Sequence, residues 1–318
     1  MDKVPFDLPA YRHLQASYDH ETRSIWCYLD PKPRPTFNHE ALDEILDLQK
    51  RVTANLQSDD PDRQDTRYFV ATSLEPSVFN LGGDLALFVG LIKTRDKKGL
   101  MAYGVKCIEA LYQNATSLGV PQLTTISLVC GAALGGGFEA ALSSDVLIAE
   151  RSAQMGFPEI LFNLFPGMGA YNLLIRRINP ALAKRLIASG KQYSAEELHK
   201  MGIVDVLADD GEGFDVVREF MRQHARASNG HLAIKQVRDR VYPLLWNELK
   251  DIVEIWVDAA LRVTARDLRM MSRLAEMQRR RPEGGGLLAV PDAPQPAQPA
   301  PAADQQTAYP LTLAARSV

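Results

Sequence analysis

Three glycine-containing segments are the part of this sequence best suited to holding a reactive group. They are 82-GGD-84, 135-GGGFE-139 and 158-PEILFNLFPGMG-169, and the first two each follow an apolar stretch typical of a buried strand. Glycine lets a ligand approach the backbone closely, so two such strand exits can aim N–H groups at one carbonyl oxygen. That arrangement is an oxyanion hole, which stabilises negative charge developing on a reacting carbonyl.

Glu139 and Glu159 are the candidate catalytic groups that accompany these segments. Glu139 ends the GGGFE segment, and Glu159 follows Pro158, which restricts the backbone. An apolar setting raises the pKa of a carboxyl group. Two carboxyl groups in one dry pocket differ in proton affinity, so one can act as a base and the other as an acid. The apolar neighbours of Glu159 that predict this setting are Phe157, Ile160, Leu161 and Phe162.

Each feature also has a purely structural interpretation. Paired glycines after a strand are common in turns, and a glutamate on a helix of small residues can face solvent. The GMG at 167–169 lacks both the spacing and the lysine of phosphate-binding loops, so nucleotide binding is not indicated. The six histidines show no ligand spacing, and we therefore expect no metal site.

An apolar substrate would need a pocket beside the two glutamates. Several apolar residues close to the motifs are candidates to line it, although core packing is the alternative for each. They are Leu85, Leu87, Phe88, Met155, Phe157, Leu161, Phe162 and Met168.

The elements that must position these residues alternate between short apolar strands and helices, which predicts an α/β fold. Strands are predicted at 22–30, 67–73, 123–131 and 145–150, and helices at 39–57, about 98–117 and 171–178. The segment 152–170 is predicted to be a loop.

The chain divides into four predicted regions. Residues 1–20 form an N-terminal extension, 21–230 a catalytic core and 231–281 a nearly continuous helical module. The module carries more apolar surface than one stripe, so it must pack on its own core or on a neighbouring subunit. Residues 282–318 are rich in proline and alanine and are predicted to be a disordered tail.

Composition narrows the classes of partner. The 318 residues carry a net charge of −3, which argues against nucleic-acid binding. There are three cysteines without metal-ligand spacing, and neither a signal peptide nor an apolar run long enough to cross a bilayer is evident. We therefore expect a cytoplasmic protein without membrane insertion.

The motifs FNLGGD, LGGGFEAAL and FPEILFNLFPGMG resemble those of the crotonase (enoyl-CoA hydratase/isomerase) superfamily, in the same order. Within it, FNLGGDLALF, ALGGGFEAALS, FPEILFNLFPGMGAY and the later IWVDAAL are most similar to the diffusible signal factor (DSF) synthases of RpfF type from Gram-negative bacteria. The resemblance implies a spiral of ββα units with a C-terminal α-helical trimerisation module. It also implies a homotrimer or a dimer of trimers.

The resemblance further implies a site and a reaction. The N–H groups of Gly83 and Gly136 would form the oxyanion hole, Glu139 and Glu159 would be catalytic, and Gly135 would lie against the substrate. A 3-hydroxyacyl thioester would be dehydrated to the cis-2-enoyl thioester and then hydrolysed to a free medium-chain acid, a quorum-sensing signal. The acyl group would arrive on acyl carrier protein or, failing that, on coenzyme A, with no further cofactor. A sensor kinase would be a further partner.

Two alternatives remain open at this point. One is an ordinary enoyl-CoA hydratase or isomerase of fatty-acid breakdown, since both glutamates would serve it equally well. The other is a non-catalytic binding protein on the same fold, although such a protein has no need for two acids in an apolar pocket. The sequence also leaves the acid and base roles of the two glutamates interchangeable.

Overall fold

The computed structural model describes residues 6–58 and 66–279. The predicted tail at 282–318 lies outside the described residues. The strands are β1 Leu14–Asp19, β2 Ser24–Leu29, β3 Tyr68–Ser73, β4 Val78–Asn80, β5 Thr124–Val129, β6 Ala132–Leu134, β7 Val146–Glu150, β8 Gln154–Gly156, β9 Gln192–Ser194 and β10 Val206–Ala208. The α-helices are α1 His39–Leu56, α2 Leu85–Lys93, α3 Lys97–Ala115, α4 Gly136–Leu142, α5 Ala170–Leu174, α6 Pro180–Ser189, α7 Ala195–Lys200, α8 Gly213–Arg226, α9 Ser228–Val241, α10 Trp246–Ala260 and α11 Ala265–Arg279.

The strands form two sheets. The larger has the order β1-β2-β3-β5-β7-β10, and the smaller has the order β4-β6-β8-β9. Only the outer pairs β1–β2 and β8–β9 are antiparallel among the described strands. The central strand β5, TTISLV, is buried along its whole length, as expected for a parallel strand covered on both faces.

The chain repeats one path through the two sheets. It runs β3 to β4 to α2, then β5 to β6 to α4, then β7 to β8 to a short 3₁₀-helix at Pro158–Phe162. Each turn of this spiral adds one strand to each sheet and then places a helical segment. The expected crotonase-like α/β spiral of ββα units is therefore confirmed.

Three local features differ from the sequence prediction. The edge strand β1 lies within the segment 1–20 that we set apart as an extension, and its pairing with β2 makes it part of the larger sheet. The helix α2 follows directly from 82-GGD-84, and Asp84 begins it by accepting hydrogen bonds from the N–H groups of Ala86 and Leu87. The predicted loop 152–170 contains both β8 and the 3₁₀-helix.

The C-terminal helices fold back onto the core. The helix α10 packs on α3, and α11 packs on α2. No residue of α9 is fully buried. The predicted helical character of 231–281 is confirmed as far as residue 279, whereas its role in trimer formation stays a prediction.

Among the described helices, none has both the length and the apolar character required to cross a bilayer.

Candidate active site

Strand pairing brings the first two glycine segments together. Strands β4 and β6 are parallel neighbours, with Val78 opposite Ala132, so the turns that follow them leave the same end of the smaller sheet. The backbones approach so closely that a Cβ atom on Gly82 would lie 2.7 Å from the nitrogen of Gly136. Gly82 also has a φ of +86°, a conformation that glycine adopts without strain.

The two predicted oxyanion-hole donors, the N–H groups of Gly83 and Gly136, lie beside this contact. A Cβ on Gly136 would lie 3.5 Å from the nitrogen of Gly83. The flanking loop is held by other groups, since the Gly82 N–H donates to Asn80 Oδ1 at 2.7 Å and the Phe37 N–H donates to the Gly82 carbonyl at 2.8 Å. Among the hydrogen bonds of the described residues, none uses the N–H of Gly83 or Gly136. Both donors are therefore available to a ligand.

Glu139 lies in the first turn of α4 and is 2 % exposed. Its Oε1 atom accepts hydrogen bonds from the backbone N–H groups of Met168 and Ala170, each at 2.9 Å. Burial raises the pKa of this carboxyl to about 7, against the opposing effect of those backbone donors. The backbone at Met168 and Ala170, where the third motif ends and α5 begins, therefore holds the Glu139 carboxylate.

Glu159 lies in the 3₁₀-helix at Pro158–Phe162. Its Oε2 atom is closed off from solvent and has no hydrogen-bond partner among the described residues. Burial, followed by the negative charge of Glu139, raises the pKa of Glu159 to about 8. A buried carboxyl oxygen without a protein partner is typical of a site that water or a ligand completes.

Gly135 makes room for the Glu159 carboxyl group. It has a φ of +53°, and a Cβ atom at this position would overlap Glu159 Oε1. The first glycine of the GGG run is thus required twice, first for the left-handed turn into α4 and second for the approach of the acid.

A cavity of about 160 Å³ connects these groups. Its wall contains both glutamates and Gly83, Gly135 and Gly136, and the remainder is mostly apolar. The predicted pocket residues that line it are Leu85, Phe88, Leu161, Phe162 and Met168.

Three residues predicted for the pocket lie outside its wall. Met155 belongs to β8 and is completely buried in the core. Phe157 stacks on Phe138, with ring centroids 4.9 Å apart. Leu87 is a partly buried residue of α2 that packs against the core beside the cavity-lining Phe88. Closeness in sequence to Glu159 or Gly83 predicted these positions, but strand and helix direction turns their side chains elsewhere.

The sequence profile of the enoyl-CoA hydratase/isomerase family matches residues 30–276. This chain belongs to that family. The match contains every group of the site described above, from Gly83 to Glu159. It confirms the superfamily to which the three motifs pointed.

Relatives in the enoyl-CoA hydratase/isomerase family match part of the chain. The mitochondrial methylglutaconyl-CoA hydratase of Rattus norvegicus is 36% identical over 203 residues, covering 60% of this chain and 60% of the relative. The human protein of the same name is 35% identical over 200 residues, covering 59% of this chain and 55% of its own length. The chain thus spans about three fifths of the length of these curated relatives.

Two solved structures of similar fold match a larger share of this chain. DspI of Pseudomonas aeruginosa is 25% identical with a TM-score of 0.62, covering 80% of this chain and 98% of that one. The enoyl-CoA hydratase of Bacillus halodurans is 19% identical with a TM-score of 0.68, covering 82% of this chain and 100% of that one. The latter likeness shows the fold alone.

Several residues of the cavity wall were missed by sequence reasoning because they come from helices remote in sequence. Tyr103 of α3 lines the cavity and donates a hydrogen bond to the Phe37 carbonyl. Trp256 of α10 and Gln278 of α11 line it from the C-terminal helices. Helical periodicity predicted these helices, but it does not tell which face meets a cavity instead of the core.

The three cysteines are free thiols, of which only Cys27 is fully buried. Burial is the main cause that raises the pKa of each to about 12, so none is a ready nucleophile.

Proposed function

We propose that this protein dehydrates a 3-hydroxyacyl thioester to the cis-2-enoyl thioester and then hydrolyses it, releasing a free cis-2-unsaturated medium-chain fatty acid. One observation carries the proposal. Two carboxyl groups of raised pKa and two unclaimed backbone N–H groups line the same apolar cavity. The closeness of the motifs to those of DSF synthases supports the specific product.

The dehydration step would use all four groups. The thioester oxygen accepts hydrogen bonds from the N–H groups of Gly83 and Gly136, which stabilises the enolate formed when a proton leaves C2. One glutamate takes that proton as a carboxylate, and the other, as a carboxylic acid, protonates the departing C3 hydroxyl, which leaves as water. The pair suits this need because its pKa values of about 7 and about 8 leave one proton shared between the two near neutral pH.

The hydrolysis step would reuse the same groups. A glutamate carboxylate removes a proton from water, whose oxygen attacks the thioester carbon. The two N–H groups then hold the negative oxygen of the tetrahedral intermediate. Collapse of that intermediate breaks the C–S bond, releasing the fatty acid and a protonated thiol.

The acyl group would arrive on the phosphopantetheine of acyl carrier protein, or on coenzyme A as the weaker alternative. The reaction needs no further cofactor, because proton transfers and one water account for every bond made and broken. The apolar wall of the cavity, including Leu85, Phe88 and Leu161, would surround the acyl chain.

The test is mass spectrometry of the products formed from 3-hydroxydodecanoyl acyl carrier protein. We expect a free cis-2-enoic acid from the wild-type protein and a loss of roughly 10²-fold or more in Glu139→Ala and in Glu159→Ala. Glu109→Ala is the matched control, because Glu109 is an exposed residue of α3 and should leave the rate unchanged. Full activity in either active-site variant would contradict the proposed roles.

A conventional enoyl-CoA hydratase is the second candidate, favoured by the 36% identity to a methylglutaconyl-CoA hydratase. The same experiment separates the two, because a hydratase forms a trans-enoyl thioester reversibly and releases no free acid. Absence of turnover on both carrier-protein and coenzyme A substrates would favour a binding protein instead.

A further inference from the structure

The cavity extends well beyond the two glutamates, between α1, α3 and α4. From α1 it is lined by Leu42, Ile45 and then Gln49. Phe37, just before α1, lies next to the glycine turn, since its N–H donates to the Gly82 carbonyl. Gln49 lies seven residues beyond Leu42, or about 10 Å along the helix axis. The last residue of α1 to line the cavity is therefore far from the Gly82 turn.

The cavity lining of the other two helices also ends in a polar side chain. On α3 the lining residues are largely apolar up to Leu111 and then end with Asn114. On α4 they pass from Glu139 and Ala140 to Ser143, the residue that ends the helix. The end of the cavity remote from Gly83 is therefore polar, although the wall leading to it is apolar.

Asn114 and Ser143, two of these three end residues, are joined by a hydrogen bond. The Asn114 side-chain amide donates to the Ser143 hydroxyl at 2.8 Å and to the Ser144 hydroxyl at 3.0 Å. The Ser143 hydroxyl in turn donates to the Ala140 carbonyl at 2.6 Å. These groups make a closed polar floor.

Gln49 differs from these residues, because the oxygen of its side-chain amide accepts no hydrogen bond from the described residues. Its Nε2 atom donates to the Ala110 carbonyl at 3.0 Å, which fixes the orientation of the amide. Its Oε1 atom is buried and has no hydrogen-bond partner among the described residues, and the whole residue is 4 % exposed. A buried acceptor in that position is satisfied by water or by a ligand donor, and an apolar group cannot do this.

We propose that Gln49 sets the upper limit of acyl-chain length in this cavity. A chain that stops short of Gln49 leaves room for a water molecule on Oε1. A longer chain brings its terminal methyl group against Oε1, displaces that water and leaves the acceptor unpaired. The limit is thus set by an unfavourable polar contact as well as by space. This inference rests on the proposed function for the identity of the ligand as an acyl chain.

The test measures binding of straight-chain fatty acids, lengthened two carbons at a time, to the full-length protein by calorimetry. For the wild type, we expect the affinity to rise with length and then to fall at one step. Methionine has a shape similar to that of glutamine but lacks the acceptor oxygen. In Gln49→Met the affinity should therefore keep rising at that step, to roughly tenfold above the affinity of the wild type. The Ala110 carbonyl lies inside α3, where it keeps its helical hydrogen bond, so this variant should fold.

Ile45→Val is the matched control for space, because it removes one methylene from the same wall and keeps Gln49. Its length limit should shift less than that of Gln49→Met, because it adds room but keeps the unpaired acceptor. An unchanged limit in Gln49→Met would overturn the proposal, and so would an equal shift in Ile45→Val, since space alone would then set the limit. Failure of every acid to bind would also overturn it. Because binding needs no turnover, a protein inactive on carrier-protein thioesters can still confirm this role of Gln49.

Discussion

At the residue scale, the environment of each glutamate explains its proton affinity. Burial raises the pKa of both carboxyl groups. Glu139, however, accepts two backbone hydrogen bonds that favour its charged form, whereas Glu159 Oε2 accepts none among the described residues. The charge of Glu139 then raises the pKa of Glu159 further. The result is a pair that keeps one proton at neutral pH, as acid–base chemistry on a single substrate requires.

This burial has a consequence for stability that does not depend on the proposed reaction. The pKa of Glu159 is about 8 in the folded protein and near 4.5 as its ordinary value, so the folded state binds a proton that the unfolded state releases between these values. Stability should therefore fall as pH rises through that range. Glu159→Gln cannot ionise, so it should be more stable than wild type at pH 9 by on the order of 1 kcal/mol or more. At pH 4 the two proteins should be equally stable.

Urea denaturation of both proteins at the two pH values measures this difference. The matched control is Glu109→Gln, an exposed glutamate of α3, which should give the same difference from wild type at both pH values. Equal stability of Glu159→Gln and wild type at pH 9 would mean that Glu159 is not held in a dry setting.

At the scale of elements, the repeated ββα path explains why two distant glycine turns share one site. The strands before them, β4 and β6, are neighbours in the smaller sheet, so their exits coincide in space. The C-terminal helix α11 then reaches the same place. The Gln278 amide donates to the carbonyls of Leu81 and Gly83 at 3.1 and 3.2 Å, and its oxygen accepts from the Leu85 N–H at 3.3 Å.

These three contacts make Gln278 a positioning residue for the loop that carries the Gly83 N–H. Gln278→Ala should lower kcat several-fold with little change in KM, because a loosened donor weakens stabilisation of the transition state more than binding. Steady-state kinetics on the thioester substrate measures the split. Ser272→Ala, at an exposed position of the same helix, is the control and should match wild type. An equal loss in both variants, or a change confined to KM, would argue against positioning.

At the scale of the whole molecule, α9 presents an apolar face that no described residue covers. Ile234, Val237 and Val241 are 68%, 63% and 60% exposed, and their spacing places them on one side of the helix. The opposite side is anchored to the core, where Lys235 Nζ lies 2.6 Å from the Asp145 carboxylate. A firmly held helix with an uncovered apolar side is typical of a subunit interface.

We therefore expect α9 to contact a neighbouring copy of the chain, in the trimer or dimer of trimers that the family resemblance implies. Val237→Glu should shift it toward monomers, because burying an unpaired carboxylate in an apolar interface is strongly unfavourable. Sedimentation velocity measures the change, and Gln236→Glu, exposed on another side of α9, should leave assembly intact. A wild-type protein that sediments as a monomer would contradict this expectation.

Short-range patterns in the sequence were enough to select the candidate catalytic groups. Runs of glycine after apolar strands, a proline before Glu159 and apolar neighbours around it pointed to the two glutamates. The alternation of strands and helices predicted an α/β fold, and the family resemblance of the motifs supplied the ββα architecture. Helical periodicity also predicted α1 and α3 almost to their ends, and it predicted the C-terminal helices as one helical region without their breaks.

The set of side chains that share the cavity depends on long-range packing. Tyr103, Gln49 and Gln278 enter it from helices separated by many residues, whereas Met155 and Phe157, close to Glu159 in sequence, turn into the core. The physical reason is that a local pattern fixes the faces of an element, but long-range packing selects what each face meets. The unpaired amide oxygen of Gln49 became visible for the same reason, since a hydrogen bond that is missing is a property of the surroundings and not of the residue.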